Sequence, residues 1–193
     1  MRTLIYSAFV SLDGVVDSPG GGTPSEQHRS GGWTFKDLEF LPEAYEIKGT
    51  EMAEAGAMMF GRRSYEAFAP VWPAMEDFAV VKEIPKYVVS TTLDDDGLVD
   101  DWGPQVILRS LDEVEQLRQG EGGPILVAGS AELARNLSDA GLIDRYHLLV
   151  FPVVLGAGKR MWSETDKDKQ MLTLIESETY ANGITKLVYD VVR

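Results

Sequence analysis

The chain has 193 residues, 44% of them hydrophobic, a formal net charge of −13 and no cysteine. That length suits a single domain over residues 1–193 with a real core, and the lack of cysteine excludes disulfides, thiol nucleophiles and Cys-ligated zinc. So acidic a chain is a poor candidate for nucleic-acid or anionic-membrane binding, no apolar run approaches the roughly 18 residues of a membrane span, and cytoplasm is the default compartment.

The first strand is TLIYSAFVS, which mixes β-formers with small residues and ends at the turn signal Asp13-Gly14. Asp17 to Trp33 has too few apolar residues to pack and is rich in glycine, so it is expected to be a mobile loop, an active-site lid rather than a linker. Lys36 to Ala55 is helical in character, divided into two pieces at Pro42 and Gly49. Ala57 to Phe60 is a short buried strand that turns at Gly61 into a helix over Arg62 to Ala69. KYVVST is a strand, TTLDDDGLVDDWG an acidic loop, QVIL a strand, and Leu111 to Gln119 an amphipathic helix begun by Ser110. GGPILVAGS is a glycine-led strand running into a helix over Ala131 to Ala140. Asp144 to Leu155 is a long strand, and Met171 to Val192 holds two alternating strands around Asn182-Gly183, a hairpin signal. Strand and helix thus alternate before an antiparallel finish. The pattern predicts an α/β fold with a mixed, mostly parallel central sheet flanked by helices and a C-terminal antiparallel hairpin.

Four short stretches could carry chemistry. Gly61-Arg62-Arg63-Ser64 puts two cations in the first turn of a helix, where unpaired N–H groups already carry partial positive charge. An anion bound there would resolve the conflict; a solvated helix start with Arg62 paired to Glu66 is the alternative. In Val127-Ala128-Gly129-Ser130-Ala131-Glu132 a buried strand enters a helix through small residues that let a ligand approach the backbone, or Ser130 is an ordinary helix cap. Ser90-Thr91-Thr92 places hydroxyls at a strand's carboxyl end, for a phosphate or for a turn. Asp13-Gly14 could set a carboxylate at a pocket or be a bare turn. Other patterns fail: Gly156-Ala157-Gly158-Lys159 has Val153 at the earlier glycine position of a phosphate loop and Arg160 in place of its hydroxyl, and His28 and His147 fit no metal-ligand spacing.

Taken in order, SLDG (Ser11 to Gly14), FGRRSYEAF, KYVVSTTL, ILVAGSAELARNL and LLVFPVVLGAGKRMW resemble the RibD C-terminal domain family of the dihydrofolate reductase-like superfamily, in its small stand-alone bacterial form. The resemblance covers nearly the whole chain. It implies a three-layer dihydrofolate reductase-like fold and NADPH at the strands' carboxyl ends. It assigns the cofactor's phosphates to Gly61, Arg62, Arg63 and Ser64, with Arg62 on the 2′-phosphate, and the adenosine side to Ser90, Thr91 and Thr92. The pyrophosphate falls on Gly129, Ser130, Ala131 and Glu132, and the nicotinamide on Ala8 and Phe9. Asp13 and Gly14 match the family's strand-one motif near the substrate side. Either Asp13 or a bound water is the candidate proton donor, and Trp33 or Phe35 is expected to stack on a flat substrate. The helical carboxylate of dihydrofolate reductases has no clear match among Asp37, Glu39 and Glu43, and the deaminase domain of the riboflavin enzymes is absent. The implied activity is NADPH-dependent hydride transfer to a small heterocycle, resembling 5-amino-6-(5-phosphoribosylamino)uracil reductase or dihydrofolate reductase, in a homodimer. The alternative is a non-catalytic nucleotide-binding or regulatory protein that retains the cofactor cleft.

Overall fold

The structure is a computed structural model and describes residues 1–21, 28–164 and 169–193. Eight strands form one sheet in the order β4-β3-β2-β5-β1-β6-β8-β7. They are β1 (Leu4–Ser11), β2 (Ala57–Gly61), β3 (Lys86–Val89), β4 (Gln105–Leu108), β5 (Ile125–Val127), β6 (Arg145–Phe151), β7 (Leu172–Thr179) and β8 (Thr185–Val191). Pairing is parallel from β4 across to β6 and antiparallel for β6–β8 and β7–β8. The helices are α1 (Pro42–Glu54), α2 (Arg62–Phe68), α3 (Leu111–Gln119) and α4 (Ala131–Asp139). This is the mixed, mostly parallel sheet with an antiparallel hairpin that the alternating pattern and Asn182-Gly183 predict; Gly183 takes φ +84°, where a side chain would be strained.

The inner strands β2, β5 and β1 of the parallel half bury both faces. Leu4, Tyr6, Ala8 and Val10 of β1 pack with Leu133, Ala134 and Leu137 of α4 and Val114 of α3. The alternate residues Ile5 and Phe9 face the other side, where Met52 and Ala55 at the end of α1 and Tyr65 of α2 cover Met58 and Phe60, and Ala44 and Tyr45 cover Leu149 and Phe151. Thus α1 and α2 lie on one face and α3 and α4 on the other.

Three boundaries differ from the sequence expectation. The predicted break at Pro42 is instead the start of α1, where the missing proline N–H costs nothing, and residues 36–41 form bends and extended chain. Gly49 lies inside that helix with no atom within 4 Å of where a Cβ would stand, so it does not break it. The strand expected to run to Leu155 stops at Phe151, because Pro152 has no N–H to continue the ladder. The expected lid is also tied down over its described parts: Trp33 Nε1 donates to the Asp17 carbonyl at 2.8 Å, and the His28 N–H to Ser18 Oγ at 3.0 Å. Its middle, residues 22–27, lies outside the described residues.

Candidate functional site

Strands β2 and β5 are parallel neighbours, yet α2 leaves β2 toward one face and α4 leaves β5 toward the other. A crevice opens at the carboxyl ends of such a pair, the usual place for a ligand in an α/β sheet. Here the two strand-to-helix turns meet. The Gly61 N–H donates to the Gly129 carbonyl at 3.0 Å. A Cβ on Gly61 would stand 2.6 Å from Ser130 Oγ, and one on Gly129, whose φ is +99°, 2.5 Å from Ser64 Oγ. Only glycine at both positions allows the turns to approach this closely. The Gly129–Ser130 peptide is cis. Ser130 Oγ accepts the Leu133 N–H at 3.3 Å and caps α4, Ala131 is buried, and Glu132 is exposed in the first turn.

Arg62 ties this turn to the third stretch. Its Nε donates to Glu66 at 2.7 Å, and its NH1 donates to the Thr92 hydroxyl at 2.8 Å and the Thr92 carbonyl at 3.3 Å. The pairing with Glu66 and a position beside the strand-end hydroxyls therefore coexist, and NH2 keeps no protein partner among the described residues. Arg63 and Thr91 are exposed and Ser64 is half-buried. Ser90 is buried and acts as a turn cap, its Oγ accepting the Thr92 and Leu93 N–H groups. Arg109, just after β4, braces the same loop, donating to the carbonyls of Ser90 at 3.0 Å and Leu93 at 2.6 Å. No motif singles it out.

Strand β1 pairs with β5 only at Leu4, Ile5 and Tyr6 but with β6 out to Ser11. From Ser7 onward its β5-side edge is therefore open. Ala8 and Phe9 lie along this opening with side chains on opposite faces of the sheet, Phe9 toward α1.

The expectation that Asp13 supplies a proton meets a physical obstacle. Its carboxylate accepts from Ser11 Oγ at 2.7 Å, from the Leu155 N–H at 3.1 Å and from the Gly156 N–H at 2.8 Å. The Ser11 hydroxyl first, then these backbone donors, hold its pKa down to about 2. A carboxyl so stabilised as the anion is a poor acid near neutrality. The Asp13 carbonyl also accepts from Arg160, and Gly14 turns the chain at φ +82°. SLDG and LGAGKR, two motifs far apart in sequence, thus clamp each other. Trp33 is fixed in place too. It is 5% exposed, packed edge-on against Phe151 at 5.3 Å, and forms a wall of a cavity of about 450 Å³ with Lys36, Leu38, Val153 and Leu155. No residue of the glycine turns lines that cavity. Phe35 is exposed, as are Asp37, Glu39 and Glu43.

A buried polar cluster under α1 escaped the sequence reading. Glu51 accepts from Ser7 Oγ at 2.5 Å and from His147 Nδ1 at 2.9 Å, and its Oε1 lies 3.3 Å from Lys48 Nζ. Lys48 also donates to Ser7 Oγ. Burial alone would raise the Glu51 pKa, but Lys48, His147 and Ser7 together outweigh it and hold it below the usual value. An ionised carboxylate only accepts, so His147 carries its proton on Nδ1. The detectable signal was spacing: Ala44, Lys48, Glu51 and Ala55 fall on one helical stripe, placing two charges on the inward face.

Comparisons agree with this architecture. The model of the RibD C-terminal domain matches residues 2–186. The uncharacterized protein YyaP of Bacillus subtilis (strain 168) is 25% identical over 195 aligned positions, which cover 97% of this chain and 94% of YyaP. A Shewanella sp. PV-4 protein named for riboflavin biosynthesis superposes with a TM-score of 0.74 at 18% identity, covering 100% of both chains. Dihydrofolate reductase of Enterococcus faecalis, solved with NADP(H) and RAB-propyl, gives a TM-score of 0.58 at 12% identity, covering 99% of this chain and 97% of that one. With strand order, hairpin and paired glycine turns in place, the chain belongs to the RibD C-terminal domain family.

Proposed function

We propose that this protein is a reductase that takes hydride from NADPH and delivers it to a small planar heterocycle, of the aminopyrimidine type of riboflavin biosynthesis or of the pterin type. The observation that carries the reading is the meeting of the two glycine turns at the β2/β5 crevice with Arg62 beside them. The residues suit a dinucleotide phosphate. Gly129 adds no side chain over its half-buried backbone, α4 presents its first-turn N–H groups, and Arg62 has a guanidinium N–H group still to give. The Arg62–Glu66 pair has its cation on the N-terminal side and is exposed, so a phosphate can displace it at little cost. NADP(H) in the enterococcal reductase and the name of the Shewanella protein support the same reading. When bound, the nicotinamide supplies the hydride; the chain supplies the phosphate cradle and the open edge of β1 beside Phe9.

Substituting Arg62 with alanine should weaken NADPH by about tenfold, the scale of one charge-assisted hydrogen bond, and leave NADH nearly unchanged. Fluorescence titration with both nucleotides checks this, and an equal loss for both removes Arg62 from the 2′-phosphate. NADPH binding without oxidation by any of 7,8-dihydrofolate, 5-amino-6-(5-phosphoribosylamino)uracil or menadione would favour a nucleotide-binding protein without turnover. We also propose that two copies pair along β7. It is one of the two edge strands of the sheet, with Leu174 and Ile175 about half exposed and a row of unpaired backbone groups. Ile175→Lys should then convert a dimer to a monomer in sedimentation velocity; a wild-type monomer at tens of micromolar ends the idea.

A further inference from the structure

Hydride delivery to a C=N or C=O group leaves a proton to be supplied to the nitrogen or oxygen, and the buried cluster under α1 stands where it would be needed. Lys48 Nζ lies 5.0 Å from the centroid of the Phe9 ring, beside Ser7, where β1 parts from β5. Its ammonium is held on two sides, by Ser7 Oγ and by Glu51 Oε1. The third N–H has no hydrogen-bond acceptor on the protein among the described residues, and the side chain is 17% exposed. An ammonium fixed by two neighbours with one hydrogen unspent is arranged to meet a ligand atom. Glu51 is held in turn by His147, so the carboxylate cannot swing away.

We propose that Lys48 is the proton donor of the reduction, with Glu51 and Ser7 as positioning residues. The inference rests on the reductase reading above. In the step, hydride bonds to the substrate carbon and the C=N or C=O π bond breaks. Its electron pair takes a proton from Lys48 Nζ, and the neutral amine recovers a proton from water on its exposed side. The oxidised product is NADP⁺, and one proton is consumed from solvent.

The experiment compares wild type with Lys48→Arg, Lys48→Met and Glu51→Gln. Arginine keeps the cation and the contact to Glu51 but does not release a proton. NADPH affinity, read by energy transfer from tryptophan to the nicotinamide, should stay within about twofold in Lys48→Arg, because the phosphates bind at the glycine turns; together with the melting point it shows that the variant is folded. Turnover of whichever of the three acceptors the wild type reduces should fall about 100-fold or more in both Lys48 variants, the scale of general acid catalysis. Glu51→Gln should move the pH profile of kcat with little change in KM, which a purely structural role would not do. Lys48→Arg turning over within about threefold of wild type overturns the proposal and leaves the reductase reading standing. A wild type that binds NADPH and reduces none of the acceptors overturns both.

Discussion

Replacing Glu51 with alanine lowers the stability of the fold by about 3 kcal/mol at pH 7, the lower end for removing one member of a buried ion pair. The side chain is 4% exposed and engages three partners from three different elements. Its loss leaves the Lys48 ammonium and the His147 N–H facing a cavity. Lys48 can turn partly toward solvent, which keeps the cost from the upper end of the range. For a chain of this size that is a fall in melting temperature of about 6–12 °C. Glu51→Gln keeps hydrogen-bonding capacity and should lose less. The pH dependence has a definite sign. The pKa of Glu51 is lowered in the folded protein from a reference of 4.5, so the unfolded chain binds its proton first on acidification. The stabilisation is therefore complete above about pH 4.5 and disappears as pH falls through the folded-state value. Melts of wild type and Glu51→Gln between pH 3 and 7 should converge on the acid side. Parallel curves, or an alanine variant melting within about 2 °C of wild type at pH 7, would show that the cluster carries no such energy.

The fold was legible wherever local pattern and tertiary role coincide. Ser110 before Leu111 and Gly183 after Asn182 announce a helix start and a hairpin turn, and each feature forms where the residues put it. Gly61 and Gly129 were legible as turns, but that each turn makes room for the other depends on β5 returning between β2 and β1, which no local pattern encodes. Asp13 was legible as a carboxylate at a strand end. Two of its partners, Leu155 and Gly156, lie more than a hundred residues away, so its use as a clamp was hidden. Trp102 sits in an acidic loop that reads as solvated. It is nonetheless among the largest fully buried side chains, tilted against Phe60 and Tyr65. Polar residues on buried stripes are the recurrent blind spot, because composition alone says they belong outside. Glu51 is one case and Lys86 is another.

Replacing Lys86 with methionine should stabilise the protein at neutral pH. Lys86 opens β3 and alternates with Val88 toward the α2 face, so the period of two puts its side chain in the core. It is 0% exposed. Its ammonium donates to the Lys82 carbonyl and lies 5.3 Å from the Trp102 ring centroid, with no ion pair to a carboxylate among the described residues. Burial pushes its pKa down from 10.5 to about 8, against a weaker pull from Glu83. That shift corresponds to about 3 kcal/mol of penalty on the charged form, of which the aromatic face returns about 1 kcal/mol. Methionine is similar in volume and fills irregular space, so the expected gain is about 1–2 kcal/mol, or a rise of about 3–6 °C. At pH 7 both the folded and the unfolded chain hold the proton and the penalty stands in full. Between pH 8 and 10.5 the folded protein sheds the proton while the unfolded chain keeps it, so the wild type gains on the variant as pH rises. Melting wild type and Lys86→Met side by side at pH 7 and pH 10 tests both halves. A variant less stable at pH 7 would mean that the contacts of the ammonium with Trp102 and Lys82 outweigh its desolvation. A gap that does not change with pH would mean that Lys86 reaches water through motions of the loop carrying Trp102.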